Sequence, residues 1–182
     1  IENMVKFAKD NAIDLVMVAP DDPLVLGMVD AMEKEGIRAF GPRANAAIIE
    51  GSKAFSKELM KKYNIPTANY EVFTDSASAI DYIKAQNTFP TVIKADGLAL
   101  GKGVIIAQNL EEAEQAVHEM IDDGKFGKSG SRVVIEEFLT GPEVSVLAFT
   151  DGKTVKPMVS AQDHKRAYDN DEGLNTGGMG TF

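Results

Sequence analysis

The segment VIKADGLALGKGVII, residues 92–106, is the most specific feature of this sequence. It carries three glycines and two lysines: Gly97, Gly101 and Gly103, with Lys94 and Lys102. Glycines let the backbone approach a ligand closely, and successive free N–H groups can hold phosphate oxygens. The β-branched residues at both ends favour strands. The segment is therefore predicted to be a phosphate-binding loop between two strands.

The spacing of the glycines excludes a Walker loop. Such a loop needs four residues between its first glycine and Gly-Lys, followed by Ser or Thr and a helix. Here three residues separate Gly97 from Gly101, Gly103 follows the lysine, and Val104 begins a run that favours a strand. The loop is better described as a flap between antiparallel strands. A plain glycine-rich hairpin is the alternative that the segment alone leaves open.

Two segments downstream have the composition of a nucleotide site. Residues 132–139, RVVIEEFL, predict a strand that ends in two carboxylates and two apolar residues. Adenine needs a main-chain acceptor and donor with apolar packing, and a strand edge supplies these groups. Thr140-Gly-Pro-Glu143 then places a carboxylate where ribose hydroxyls could be held.

A second anion-binding site is predicted near the end of the chain. Residues 160–166 read SAQDHKR and residues 175–180 read NTGGMG. A basic trio and a second glycine cluster in an acidic protein favour binding of an anion. His164 could instead cap a loop.

Hydrophobic periodicity predicts two kinds of architecture. Residues 1–46 alternate between helix and strand, which is typical of a parallel α/β domain, with one helix from Pro23 to Gly36. The rest favours an α+β region with antiparallel pairing, in which Thr150–Lys153 forms a hairpin turn. The expected elements there are a helix from Ser52-Lys53, helices at 76–86 and 110–122, and strands at 69–73, 91–95, 103–107, 132–138, 143–149 and 154–160.

Composition narrows the class of protein. The net charge of −9 argues against a nucleic-acid partner, because neutralising phosphates needs a basic face. There is no cysteine, which excludes disulfides and thiolate metal sites and fits a reducing, cytoplasmic location. The longest apolar runs are strand-sized, so we expect no membrane partner. Nothing in the sequence identifies a protein partner.

These motifs together resemble the glycinamide ribonucleotide synthetases of the ATP-grasp superfamily, also called phosphoribosylamine–glycine ligases. The resemblance runs through nearly all of the chain. The flap identifies the superfamily, and the last two motifs point to this ligase family. The matching segments are Gly51-Ser-Lys53, the flap at 93–104, the Glu136–Glu143 hinge, QDHKR at 162–166 and NTGGMG at 175–180.

The resemblance implies an α/β plus α+β fold, in which the end of a Rossmann-like pre-ATP-grasp domain precedes a partial ATP-grasp domain with antiparallel sheets. Residues 1–48 would be the C-terminal part of the Rossmann-like domain. Residues 49–66 and 138–182 would form part of the ATP-grasp A domain, and residues 67–137 the B, or flap, domain.

The resemblance also implies the binding residues for ATP, glycine and phosphoribosylamine. Lys53 and Lys94 would contact the phosphates, main-chain groups at 136–139 adenine, and Glu143 the ribose. The expected ATP site comprises Lys53, Lys94, Gly97, Leu98, Gly101, Lys102, Gly103, Glu136, Glu137, Phe138, Leu139 and Glu143. The expected catalytic residues are Asp163, His164, Lys165 and Arg166. The expected substrate site comprises Pro20, Asp21, Asn175, Thr176, Gly177, Gly178, Met179 and Gly180.

The family's chemistry would form glycyl phosphate from glycine and ATP, and the amine of phosphoribosylamine would then attack it. The family uses Mg²⁺ (or Mn²⁺), whose ligands, a Glu and an Asn, would follow Phe182, so we expect no metal ligand in this chain. Asp21 stands where the family has Glu, and Ala19 where it has Gly. Because the metal ligands would follow Phe182, we expect this chain to be a piece of a longer enzyme that is poorly active alone. Another ATP-grasp carboxylate–amine ligase and a non-catalytic nucleotide-binding module are the alternatives.

Overall fold

A computed structural model describes residues 1–99, 103–162, 164 and 166–176. The chain divides into two compact units, Ile1–Phe138 and Leu139–Phe182. No helix in the described part of the chain is long and apolar enough to cross a membrane.

The first unit begins with a small α/β region. Its elements are α1 (Glu2–Asp10), β1 (Leu15–Met17), α2 (Asp21–Val25), α3 (Met28–Lys34), β2 (Arg38–Phe40) and α4 (Ala44–Gly51). Strands β1 and β2 pair in parallel, as the alternation of elements predicted. Their core is formed by buried residues of α1, α3 and the strand ends, among them Ala8, Val18, Val29 and Met32.

The structure corrects one expectation in this region and adds one helix that was not expected. The helix expected from Pro23 to Gly36 is two helices, because Gly27 takes a left-handed φ of 83° between α2 and α3. A left-handed residue ends a helix, and glycine adopts that conformation at no steric cost. Helix α4 was not predicted from the sequence, since its run of Ala and Ile lacks a polar stripe.

A four-stranded antiparallel sheet forms the larger part of the first unit. Its elements are α5 (Lys53–Lys62), β3 (Tyr70–Phe73), α6 (Ser76–Gln86), β4 (Thr91–Ala95), β5 (Val104–Ala107), α7 (Leu110–Ile121), a 3₁₀ helix (Gly127–Ser131) and β6 (Val133–Glu137). The strand order is β3-β6-β4-β5. The structure confirms the predicted strands and helices here, including the cap of α7, where Asn109 accepts from the Glu112 N–H at 3.0 Å.

The two faces of this sheet have different neighbours. Side chains alternate along a strand, so Ile93 and Ile135 lie on one face and Lys94 and Glu136 on the other. The first face packs against α6 and α7 in an apolar core. The second face includes the contact between β6 and α5. The sheet thus brings its charged residues to the helix that begins with Lys53.

The second unit contains two short antiparallel pairs. Strands β7 (Ala148–Thr150) and β8 (Val155–Pro157) form the predicted hairpin, shorter than the 143–149 and 154–160 expected. Asp151 closes its turn by accepting from the N–H groups of Lys153 and Thr154, at 2.9 and 2.8 Å. Strands β9 (Arg166–Tyr168) and β10 (Glu172–Asn175) form the other pair, which the sequence did not predict.

Candidate active site

Lys53 joins the start of α5 to the base of the flap. Ser52 caps the helix, since its hydroxyl accepts from the Phe55 N–H at 3.1 Å. The Lys53 Nζ donates to the main-chain carbonyl of Gly97 at 3.0 Å. The predicted phosphate lysine and the flap are therefore in direct contact.

Asp96 connects the start of α5 to the flap segment, and this role was not predicted from the sequence. Its buried carboxylate accepts from the Ala54 N–H at 2.7 Å, the Ser52 hydroxyl at 2.9 Å and the Arg132 Nε at 2.9 Å. Its main-chain carbonyl accepts from the Lys53 N–H at 2.9 Å. The first amides of α5 are thus used by Asp96.

Lys94 lies at a buried carboxylate on the charged face of the sheet. Its Nζ is 3.0 Å from Glu136 Oε2, and Lys57 Nζ is 3.2 Å from the same oxygen. The other oxygen, Glu136 Oε1, is buried and has no hydrogen-bond partner in the described part of the chain. The ammonium groups of Lys57 and Lys94 therefore contact the same carboxylate oxygen of Glu136.

The charge on Lys53 is sensitive to its surroundings. Burial lowers the pKa of Lys53 below the ordinary 10.5, the charge of Asp96 opposes this effect, and the charge of Lys94 adds to it. Burial disfavours a charged amine, whereas a nearby anion favours it. An anionic ligand in contact with Lys53 would therefore promote its protonation.

Two glycines keep the ends of the flap loop closely packed. A Cβ on Gly97 would lie 2.4 Å from Ser129 Oγ, and one on Gly103 would lie 2.6 Å from the Cβ of Ala99. Ser129 Oγ also donates to the Leu98 carbonyl at 3.0 Å. Neither glycine has a left-handed φ, so close packing against Ser129 and Ala99 explains why a side chain is not accommodated at these positions.

A cleft of about 690 Å³ unites residues that the sequence assigned to two different ligands. Pro20 and Asp21, expected on the substrate side, line it together with Lys53, Leu98 and Gly103, expected on the ATP side. The cleft is also lined by residues that were not predicted to belong to a site, namely Ala19, Asp22, Pro23, Glu50, Ala99 and Val104.

Strand β6, where adenine binding is expected, ends with an irregular hydrogen-bond pattern between Glu137 and Asn69. β6 is an inner strand, paired with β3 up to Glu136 and with β4 up to Glu137. At Glu137 the N–H donates to the Asn69 carbonyl at 3.0 Å, but the Asn69 N–H donates to the Glu137 carboxylate at 2.9 Å. The Glu137 main-chain carbonyl therefore lacks the ladder bond that Asn69 would otherwise supply. Phe138 follows, partly exposed, where the strand ends.

The second unit brings together the two substrate segments named from the sequence. Arg166 and Asn175 are register partners in the β9–β10 pair. The Thr176 hydroxyl donates to the main-chain carbonyl of His164, whose side chain is exposed. Leu139 and Glu143 are also exposed residues of this unit. The other residues named from the sequence lie outside the described residues: Gly101, Lys102, Asp163, Lys165, Gly177, Gly178, Met179 and Gly180.

Within the described ranges, no group of three or more His, Cys, Asp or Glu residues could hold a metal ion. The acidic residues of the cleft, Asp21, Asp22 and Glu50, do not form such a group. No described residue is therefore assigned to a divalent cation.

Solved structures share this architecture. A phosphoribosylamine–glycine ligase from Thermotoga maritima superposes with a TM-score of 0.69 at 41% identity, covering 78% of this chain and 36% of that one. The biotin carboxylase domain of the Hydrogenobacter thermophilus 2-oxoglutarate carboxylase, solved with MgADP, ADP and bicarbonate, has a TM-score of 0.75 at 20% identity. It covers 94% of this chain and 38% of that one, and this likeness concerns the fold alone.

Sequence comparison gives the family. Phosphoribosylamine–glycine ligases of Halalkalibacterium halodurans and Haemophilus influenzae are 55% and 54% identical over 181 and 182 residues. Each match covers 100% of this chain, which spans 42% of either relative's length. The family models of phosphoribosylglycinamide synthetase match residues 1–50 as the N domain and 51–182 as the ATP-grasp (A) domain. The chain belongs to the phosphoribosylglycinamide synthetase family and has its ATP-grasp fold.

Proposed function

We propose that this chain is the nucleotide-binding part of a ligase that joins glycine to 5-phosphoribosylamine in de novo purine biosynthesis. The reaction passes through glycyl phosphate and gives glycinamide ribonucleotide, ADP and phosphate. Relatives of 54–55% identity carry the name phosphoribosylamine–glycine ligase, which supports this assignment. As a piece of the enzyme, the chain alone is expected to be poorly active.

The cleft between Pro20 and the flap is the observation that carries the proposal. It places an anion-binding lysine, Lys53, and the flap residue Leu98 beside Pro20 and Asp21. A ligase must hold the phosphate donor next to its acceptors, because positioning supplies much of the rate of phosphoryl transfer. One cleft that serves both groups of residues fits this requirement.

The residues divide into an ATP side and an acceptor side. Lys53 and Lys94 bind phosphates, and the flap from 97 to 103 closes over them. The Glu137 carbonyl, left without a ladder bond from Asn69, accepts from the adenine amino group, and the main chain up to Leu139 completes that contact. Glu143 holds the ribose. Asp163–Arg166 and Asn175–Gly180 are assigned to glycine and phosphoribosylamine, and Pro20 and Asp21 are assigned to phosphoribosylamine.

The chain's own contribution to the chemistry is positioning and charge neutralisation. The ammonium groups of Lys53 and Lys94 neutralise negative charge on the phosphoryl group that passes from ATP to the glycine carboxylate. The closed flap excludes water from glycyl phosphate. A divalent cation would add neutralisation of the phosphates, with ligands outside the described residues.

The domain assignment is part of the same proposal. Residues 1–48 form the C-terminal part of a Rossmann-like domain, for which the parallel pairing of β1 and β2 is the support. Residues 49–66 and 138–182 contribute to the A domain, and residues 67–137 are the flap domain. A cytoplasmic location also belongs to the proposal.

The test is calorimetric titration of ATP with Mg²⁺ into the complete natural chain that contains these residues. Lys94→Ala should weaken ATP binding by more than about tenfold, since a charge-assisted contact to phosphate is lost. The matched control is Lys62→Ala, which removes an exposed lysine and should leave ATP affinity as in the parent protein. Equal binding by the parent and Lys94→Ala would overturn the phosphate site.

A second measurement separates the alternatives. ADP release that requires both glycine and phosphoribosylamine supports the ligase. ADP release with another carboxylate and amine would identify a different ATP-grasp ligase, and ATP binding without any turnover would identify a binding module.

A further inference from the structure

Lys57 is a buried cation that the proposed function does not use. It lies one helical turn after Lys53 in α5, and its side chain is 9% exposed. Three oxygens surround its Nζ: Thr67 Oγ1 at 2.7 Å, Ala68 O at 3.4 Å and Glu136 Oε2 at 3.2 Å. Because an ammonium group has three N–H donors, these contacts hold Lys57 in place.

Lys94 shares the carboxylate but is held differently. Its side chain is 27% exposed, and Glu136 Oε2 at 3.0 Å is its one side-chain partner in the described part of the chain. An ammonium with two donors to spare and access to solvent can turn towards a ligand. Lys57 cannot do so without losing three contacts.

The carboxylate of Glu136 makes the two lysines interdependent. It is 6% exposed, and a buried charge left without its partner is strongly unfavourable. If Lys94 turned to a phosphate with Lys57 absent, Glu136 would keep no cation. With Lys57 present, the carboxylate stays neutralised.

We propose that Lys57 is a positioning residue that keeps Glu136 neutralised and so leaves Lys94 available to the nucleotide phosphates. The proposal rests on the proposed function, since it takes Lys94 to be a phosphate ligand. It adds a role for a residue that acts through Glu136 and touches no substrate.

The test is a double-mutant cycle for ATP affinity in the complete natural chain. Lys57→Met removes the charge at similar volume and should weaken ATP binding about tenfold or more, because Glu136 then retains Lys94. In the Glu136→Gln background no carboxylate competes for Lys94, so the same change should cost less than about threefold. Equal losses in both backgrounds would overturn the proposal and assign Lys57 to packing or general charge.

Two controls separate positioning from folding. Thr67→Val removes one bond of Lys57 and leaves every charge in place, so ATP affinity should stay within about twofold. In steady state, Lys57→Met should raise the KM for ATP and leave the KM for glycine unchanged. A fall in kcat alone, with both KM values unchanged, would indicate loss of folded enzyme and overturn the role.

The variants also distinguish failure of this proposal from failure of the function. If Lys57→Met does not fold, Glu136→Gln with Lys57→Met, which removes both buried charges, is compared with Glu136→Gln alone. Agreement within about threefold supports the proposal, and a tenfold loss overturns it. A parent protein that binds no ATP overturns the proposed function, whereas ATP binding with additive losses overturns this inference alone.

Discussion

The two faces of the four-stranded sheet are built from neighbouring residues, but one face packs in the apolar core and the other carries charged residues. Ile93 and Ile135 are almost fully buried against α6 and α7. Lys94 and Glu136, the next residue on each strand, form the charged contact on the face towards α5. The period of two in a strand thus separates the core from the proposed site by one residue. Stability and binding should therefore respond to different substitutions at adjacent positions.

The largest expected effect is on the apolar face. Ile93→Ala should lower the free energy of unfolding by about 3 kcal/mol, because the side chain is fully buried and its removal leaves a cavity. Denaturant unfolding of the complete natural chain measures this loss. Lys94→Met, the matched change on the opposite face, should weaken ATP binding and leave stability nearly unchanged. Equal destabilisation by both changes would contradict the separation of the faces.

Asp96 lies where the charged face meets the flap, and its loss should affect stability and binding together. Asp96→Ala leaves the Ala54 N–H without its acceptor and Arg132 without its carboxylate partner, which should cost about 2 kcal/mol of stability. ATP affinity should fall too, because the start of α5, which carries Lys53, loses its side-chain contacts with the flap segment. Asp96→Asn, which retains an acceptor oxygen, should lose less of both. A destabilised variant with normal ATP affinity would show that Asp96 has no influence on the site.

Gly97 tests the packing at the base of the flap. Gly97→Ala should cost about 1.5 kcal/mol, expressed mainly as weaker ATP binding, because the new Cβ would lie 2.4 Å from Ser129 Oγ. Adding Ser129→Gly removes the nearest clashing atoms and should restore most of the affinity. Calorimetry of both variants and of Ser129→Gly alone measures the effect. No recovery in the double variant would mean that the clash lies elsewhere.

The smallest expected effect is a pH dependence at Lys53. Its folded-state pKa is lowered by burial, so the ammonium loses its proton at a lower pH than the ordinary 10.5. ATP favours the protonated form, so affinity should fall as pH rises through the lowered pKa, by at most about tenfold per pH unit. Lys53→Arg keeps its charge throughout this range and should move the fall to higher pH. An identical pH profile for both proteins would exclude Lys53 as the titrating group.

Local signals predicted most of the fold, and they did so where the cause is local. Runs of β-branched residues in 91–95 and 103–107 predicted β4 and β5, and Asn109 with Glu112 predicted the start of α7. The break at Gly27 was missed because a helical period continues across it. The sequence cannot show which conformation a glycine adopts.

The candidate site was predicted less completely, because its supporting contacts join distant parts of the chain. The glycines and Lys94 predict a phosphate-binding loop from one short segment, but Asp96 acts through Ala54, 42 positions away. Lys57 reaches Glu136 only because α5 contacts β6. No local pattern pairs these residues, since the sheet and helix packing brings them together. The assignments of individual ligand contacts stay predictions.

The way in which Asp96 holds the start of α5 has a consequence for solution behaviour. Since the Lys53 N–H donates to the main-chain carbonyl of Asp96 and the Ala54 N–H to its carboxylate, the backbone dipoles at the start of that helix are not free to hold the phosphates. Charge on movable side chains has to provide more of the attraction, and dissolved ions screen such attraction readily where the charges are exposed. We therefore expect nucleotide affinity to decline with increasing ionic strength, so the salt in an assay buffer will affect the apparent strength of the site.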